Sequence, residues 1–448
     1  MKLNFISNTE KEKKEMLEAI GINSTDELFK DIPKELFLKE ELKLGEALSE
    51  QELISQINEL SKKNANASEY AYFLGAGAYN HFIPAVVPHL AFRSEFYTAY
   101  TPYQPEISQG SLQAIYEWQT FISELTGMDL ANASVYDGAS AVADAMMMAK
   151  NYSKKKEVII AKSLNPEYKK VVQTYAKANE LIIHEINYEN GLLSLTELKE
   201  KLNENTAIVI VQNPNFFGLI ENLQEISDIA HEKNSLFAVA ISEPISFGLL
   251  EGPGNYGADI VIGEGQSFGI PMSFGGPGVG FLATNMKYVR MVPGRLSGKT
   301  IDLDGKQGFL LTLQAREQHI RREKSISNIC SNQALIALNA TIYLSTLGKN
   351  GLKELANLNL QKAHYAAEKI NALNGFELVF NSPFFNEFVI KTQDSKKVKE
   401  KLLEKKIIAG YELEQEFPEM KNCLLLTVTE MNSKKQIDEM INVLEGLQ

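Results

Sequence analysis

Cysteine is scarce in this chain: Cys330 and Cys423 are the only two in 448 residues, and they lie far apart. Neither a disulfide framework nor a zinc site of closely spaced ligands is indicated. No apolar run approaches the roughly 18–20 residues that cross a bilayer. The opening stretch MKLNFISNTEKEKKEM has no apolar core of the kind a signal peptide carries. Cationic charge is also short, with 45 Lys and Arg against 57 Asp and Glu and a formal net charge of -12. Binding a nucleic-acid backbone needs concentrated positive surface, so that function class is disfavoured. Together the absences point to a soluble protein of a reducing compartment, the cytoplasm. What remains is ordinary globular composition, 44% hydrophobic and 23% charged. The length is enough for a large core and two or three domains.

Residues 1–70 read as an N-terminal helical segment. Thr9/Glu12, Ser24/Glu27 and Ser49/Glu52 each have capping-box spacing, in which the two side chains satisfy amides at a helix start. Leu53, Ile54, Ile57 and Leu60 form one apolar stripe, which predicts that the third helix packs against the body. Residues 71–330 read as a large α/β domain. It opens with LGAGAYNHFIPAVVPHL, too broken by Gly and Pro for a regular element. The stretch from Gly110 predicts a long helix with Leu112, Ile115, Ile122 and Leu125 on one face and a glycine C-cap at Gly127. The short apolar runs EVIIA, LIIHEI, AIVIV, LFAVAI, DIVIG and VGFLA then alternate with amphipathic helices. That alternation predicts βαβ units and a mainly parallel sheet with helices on both faces. Residues 331–448 predict a smaller α+β domain: a long helical region, the strands FELVF, EFVIKT and CLLLTVT, and a last helix.

In open α/β sheets, ligands bind beyond the carboxyl ends of the strands, which directs attention to four stretches. In YDGASAVADAMMMAK, Gly138-Ala139-Ser140-Ala141 opens a helix whose free amides and dipole could hold a phosphate, although small residues there also suit plain packing. In YTAYTPYQPEISQGSLQ, Pro102 and Pro105 keep the chain extended and place Tyr100, Thr101, Tyr103, Gln104 and Glu106 on a stiff loop. Such a loop suits recognition of a small zwitterion, or simply covers the sheet. In LQAREQHIRREKSISNIC, Arg316, His319, Arg321, Arg322 and Lys324 crowd into nine residues. A charge run is ordinarily a solvated helix face, but arginines also hold phosphate or carboxylate by paired hydrogen bonds. In GADIVIGEGQSFGIPMSFGGPG, the glycines allow close backbone approach or a tight turn.

Taken in order, LGAGAYNHFIPAVVPHL, YTPYQPEISQGSLQ, MDLANAS, GQSFGIPMSFGGPGVGF and AREQHIRREKSISNIC resemble the fold type I pyridoxal phosphate enzymes, and among them the P-protein family of the glycine cleavage system. The resemblance covers nearly the whole chain. Its length resembles the separate subunit 1, equivalent to the N-terminal half of the long form. In the family's catalytic subunit a His-Lys pair follows an aspartate like Asp259, and the lysine holds the cofactor as a Schiff base. By that likeness Gln266 and Ser267 stand where the pair would be, and Ala240 stands where an aspartate pairs with the cofactor ring nitrogen. Without the amine no Schiff base forms, and without the carboxylate the ring is a poorer electron sink.

The resemblance therefore implies a chain that is not catalytic alone. A lysine-bearing subunit 2 would bind pyridoxal phosphate, decarboxylate glycine and pass the aminomethyl group to the lipoyl arm of the H-protein. The pair would form a two-plus-two assembly with sites at the interface. This chain would contribute Tyr79, Asn80 and His81, the segment from Tyr100 to Glu106, the loop Ser273, Gly275 and Gly276, and, as weaker candidates, Arg316, His319, Arg321 and Arg322. Two alternatives stand beside it. One is an independent pyridoxal phosphate enzyme using another lysine, such as Lys287 or Lys299. The other is a scaffold or regulator that kept the fold after losing activity.

Overall fold

The short β-branched runs become strands because they can be buried on both faces. In a computed structural model, which describes residues 7–40 and 42–447, they build a seven-stranded sheet. Its strands are β1 (Leu130–Ala131), β2 (Glu157–Ala161), β3 (Ile182–Ile186), β4 (Thr206–Gln212), β5 (Leu236–Ile241), β6 (Ile260–Glu264) and β7 (Gly280–Thr284). The order is β1-β7-β6-β5-β4-β2-β3. Strands β2 to β6 pair in parallel, and β7 runs antiparallel to both of its neighbours. Every residue of β4, β5 and β6 is buried.

Successive side chains on these strands feed two different cores. Val209, Val211, Val239 and Val261 pack with Trp118 and Ile122 of α3 (Gln109–Thr126) and Tyr343 of a long helix described below. Ile208, Ile210, Ala238, Ala240 and Ile262 pack with Val142, Ala145 and Met146 of α4 (Gly138–Ser153). Helix α5 (Pro166–Ala178) covers the same side, and α6 (Leu223–Glu232) the opposite one. The structure thus has the expected α/β architecture of a mainly parallel sheet between helical layers.

The C-terminal quarter is α+β. Helix α7 (Ala334–Asn371) kinks at Gly348 and leads into strands β8 (Glu377–Leu378), β9 (Glu387–Lys391), β10 (Tyr411–Glu412) and β11 (Cys423–Thr427). They form an antiparallel sheet in the order β8-β9-β11-β10. Helices α8 (Ser395–Leu403) and α9 (Lys434–Glu445) pack on it through Val398, Leu402, Ile437 and Met440.

The chain divides into two units, Met1–Ala65 and Asn66–Gln448. In the first, α1 (Glu10–Ile20) and α2 (Glu50–Ser61) both open with complete capping boxes, at Thr9/Glu12 and Ser49/Glu52. The third expected box is replaced by a 3-10 turn: the Ser24 hydroxyl accepts from the Asp26 N–H, while Glu27 accepts from Asn23. No residue of α1 or α2 is buried, and among the described residues of this unit nothing covers the stripe Leu53, Ile54, Ile57 and Leu60. Among the described residues no helix is long and apolar enough to cross a membrane, and no cluster of three or more His, Cys, Asp or Glu could hold a metal.

Candidate functional site

Strands β5 and β6 lie side by side in the middle of the sheet, so the residues just beyond their carboxyl ends define the site. Ser242 and Glu243 follow β5, while Glu264 ends β6 and is followed by Gly265, Gln266 and Ser267. Glu264 turns its carboxylate onto the start of α4. It accepts hydrogen bonds from the Gly138 N–H at 2.9 Å and the Val279 N–H at 2.8 Å. Burial pushes its pKa up, against the lowering effect of those two N–H donors. Asp137 caps the same helix, accepting from the Ser140 N–H at 2.7 Å. Glycine at 138 leaves room for Tyr168, since a Cβ there would lie 2.3 Å from the Tyr168 hydroxyl and that side chain would have to shift.

Gln266 works as a clasp. Its side-chain oxygen accepts from the Tyr79 N–H at 2.8 Å, and its amide donates to the carbonyls of Tyr79 at 3.0 Å and Ile270 at 2.6 Å. The irregular stretch around Tyr79 is thereby held against the end of β6. Ser267 is 1% exposed, and its hydroxyl finds no partner among the described residues.

The first group of expected site residues is tied inward. Tyr79 is 1% exposed and donates its hydroxyl to Glu387 at 2.8 Å. Glu387 also accepts from the Thr427 hydroxyl and the Ala76 N–H, and burial pushes its pKa up to about 7 despite these donors. The Asn80 carbonyl accepts from the Thr429 hydroxyl. His81 is buried between two carboxylates, with Nδ1 2.8 Å from Glu430 and Nε2 3.0 Å from Glu243. Burial alone would lower its pKa, but Glu243 and then Glu430 more than offset that and push it up to about 10. The imidazolium is thus a cation bolted between the ends of the large sheet and the C-terminal sheet.

The aromatic loop faces outward. Tyr100 is 84% exposed and Tyr103 48%; Gln104 and Glu106 are exposed as well, and Thr101 is half-buried. What holds the loop is Arg295, a residue that sequence reasoning missed. It is 2% exposed and donates from Nη2 to the Tyr103 hydroxyl at 2.9 Å and the Cys330 carbonyl at 3.1 Å. Nη1 reaches Ser331 and Asn332, and the guanidinium carbon lies 5.2 Å from the Tyr103 ring centre. Behind the loop a cavity of about 230 Å³ is lined by Tyr97, Tyr100, Pro102, Ile115, Asn332 and Leu338.

The arginine-rich stretch is not one helix face. It breaks into short turns, and its members point different ways. Arg316 turns inward and donates to the carbonyls of Val292 and Gly294, while burial lowers its pKa to about 10 against the pull of Glu317. His319 stands edge-on to Tyr103, with ring centres 6.3 Å apart. Arg321 and Arg322 are exposed. In the glycine loop, Ser273, Phe274 and Gly275 all have positive φ; Ser273 and Gly275 are exposed and Gly276 is half-buried. Four groups therefore separate: a buried clasp at Tyr79–His81, a neighbouring pair made of the aromatic loop and His319, the glycine loop, and two outward arginines.

Pyridoxal phosphate does not fit the residues of this chain. Beyond the end of β6, Ser267 offers a buried hydroxyl and no amine, and Ala240 packs into the core against α4 and brings no carboxylate. The start of α4 already carries Glu264. Neither alternative lysine is placed to help. Lys287 pairs with Asp259 at 3.2 Å, at the opposite end of β6 from Ser267, and Lys299 is exposed on the hairpin Ser297–Ile301/Gln307–Leu311. Of the residues missed, Glu264 left a signal, a charge closing the apolar run IVIG. Arg295 and Glu387 left none, since each is one charge in an unremarkable local setting.

A family model described as the glycine cleavage system P-protein matches residues 3–444. Curated chains from Bacillus cereus and Bacillus thuringiensis, each named as a probable glycine dehydrogenase (decarboxylating) subunit 1, are 51% identical over 445 residues, covering 99% of this chain and 99% of theirs. A crystal structure of glycine decarboxylase (P-protein) in inhibitor-bound form superposes with a TM-score of 0.90 at 40% identity, covering 100% of both chains. A sphingosine-1-phosphate lyase from Burkholderia pseudomallei, 13% identical with a TM-score of 0.68 over 92% of each chain, shares the fold. With a family model over nearly the whole chain and full-length relatives at 51% identity, the chain belongs to the glycine cleavage system P-protein family.

Proposed function

We propose that this chain is the non-lysine subunit of a two-chain glycine dehydrogenase (decarboxylating) acting in the cytoplasm. The observation that carries this reading is the end-to-end likeness to subunit 1 chains, 51% over 445 residues. The site agrees with it, because Ser267 and Ala240 leave no anchor for a cofactor of the chain's own. A lysine-bearing subunit 2 supplies pyridoxal phosphate, which withdraws electrons from glycine as carbon dioxide leaves. The remaining aminomethyl group passes to the lipoyl arm of the H-protein.

This chain's contribution is recognition and enclosure. Tyr100, Thr101, Tyr103, Gln104 and Glu106 project from a proline-stiffened loop, with His319 beside Tyr103. Ser273, Gly275 and Gly276 offer backbone for close approach. Tyr79, Asn80, His81 and Arg316 are bonded inward rather than reaching outward. Exposed Arg321 and Arg322 suit an acidic carrier protein. The uncovered apolar side chains of the first unit, Leu53, Ile54, Ile57 and Leu60 among them, are the sort of surface an obligate partner buries.

The test is reconstitution of glycine decarboxylation from purified chains. The complete set turns over, and omission of this chain abolishes turnover; unchanged turnover on omission identifies a scaffold or regulator instead. The chain alone is colourless, whereas absorbance at the visible edge would mark an independent pyridoxal phosphate enzyme.

A further inference from the structure

The Gly138-Ala139-Ser140-Ala141 start of α4 lies at the carboxyl end of the sheet and reads as a cup for a phosphate. The positive end of a helix dipole and its free N–H groups make such a cup. In this chain the cup is not free. The Gly138 N–H donates to Glu264 at 2.9 Å and the Ser140 N–H to Asp137 at 2.7 Å. The second oxygen of Glu264 takes the Val279 N–H at 2.8 Å, so both oxygens are spent on backbone amides. The packing is tight: a Cβ on Gly278 would lie 3.0 Å from Glu264, and one on Gly138 would meet the Tyr168 hydroxyl. Glu264 is 8% exposed and projects from the last position of a central strand, so it has little room to withdraw.

We infer that the Glu264 carboxylate is a built-in substitute for a phosphate at the start of α4, and that it closes this chain's own cofactor position independently of the missing lysine. The inference deepens the reading above, in which the cofactor belongs to the partner. A phosphate approaching α4 would meet two carboxylates, Asp137 and Glu264, in a buried setting where like charges repel far more strongly than in water. Two of the amides it would need, those of Gly138 and Ser140, are already bonded. Loss of the lysine removes the covalent anchor; Glu264 removes the non-covalent one. Pyridoxal phosphate is thereby directed to one site per pair of chains.

The experiment uses the assembled complex with the partner's cofactor loaded, so that added inorganic phosphate reports on this chain. Wild type and Glu264→Ala are titrated calorimetrically with phosphate against chloride at matched ionic strength, and their melting temperatures are recorded. Phosphate stabilises proteins generally by exclusion from their surfaces, so the wild-type shift is the baseline. Glu264→Ala is expected to bind one phosphate per copy of this chain at least tenfold more tightly than wild type, with a larger rise in melting temperature. Equal binding by both proteins, or none by either, overturns the inference. If Glu264→Ala fails to assemble in chloride, assembly restored by phosphate supports it, and failure in phosphate as well overturns it. Borohydride treatment of the wild-type chain keeps the two readings apart. A phosphopyridoxyl-lysine peptide from it would defeat the placement of the cofactor in the partner, whatever phosphate does at α4.

Discussion

Tyr79 spends its hydroxyl proton on Glu387 inside the protein, whereas Tyr103 accepts from Arg295 and keeps its own proton to give. That difference decides which tyrosine can touch a substrate in a neighbouring site. Tyr103→Phe removes one hydroxyl and leaves Arg295 its bonds to Cys330, Ser331 and Asn332. Glycine decarboxylation by the reconstituted complex is expected to fall about a hundredfold, the usual scale for losing a donor aimed at a transition state. Its melting temperature should hardly change. Normal turnover with a lowered melting temperature would return the loop to a covering role. His81 belongs to the other kind of residue. Replacing it with Asn leaves Glu243 and Glu430 facing each other without a cation, and breaking such a buried pair costs about 3–5 kcal/mol. Denaturant unfolding of the complex checks this, and a loss under about 1 kcal/mol would show that the two carboxylates find other partners.

At the scale of elements, most of the fold was legible because burial and chain geometry are written locally. Runs such as EVIIA and LFAVAI had to be covered on both faces, and they became β2 and β5 within a residue of their apolar limits. The helix from Gly110 ended where its glycine said it would, with Gly127 at φ 70°. Gly127→Ala should therefore cost about 1 kcal/mol, since alanine resists that conformation and its Cβ would sit 3.1 Å from Asn255. A melting curve unchanged by the substitution would mean the helix end relaxes freely. The apolar run VGFLA was legible as a strand but not as the antiparallel one, because direction is set by its partners β6 and β1. The site was less legible still. The stiff aromatic loop could be read from its prolines. The inward turn of His81 could not, since Glu243 and Glu430 approach it from 162 and 349 residues away. The arginine run was read as a unit, yet local backbone turns point Arg316 inward and leave Arg321 and Arg322 exposed.

Across the whole molecule, buried carboxyl groups set how stability depends on pH. Burial pushes Asp144, Glu221 and Glu387 each up to about 7, with Ser327, Asn215 and Ala76 respectively the first of the donors that only partly oppose it. In the unfolded chain these groups lose their protons near their ordinary values of 3.8 to 4.5. Between those values and about 7 the folded state therefore holds more protons than the unfolded one. Stability must fall as pH rises through that interval, by up to about 1.4 kcal/mol per pH unit for each such group. His81 adds to the trend in a later window. Its pKa is raised from 6.5 to about 10, so its contribution is complete below about 6.5 and lost as pH climbs through 10. Glu430 and Asp259 act in the opposite sense, because their carboxyls are held below the ordinary range and their contribution is lost only in acid. The balance places maximum stability on the mildly acidic side. The melting temperature of the assembled complex is expected to drop steadily between pH 5.5 and 7.5. Glu387→Gln removes one titrating group while keeping an oxygen for the Ala76 N–H and the Thr427 hydroxyl, so its slope over that interval should be visibly shallower. A flat or rising profile in the wild type would mean that the three carboxyls are ionised in the folded protein, with water or unassigned partners compensating their burial.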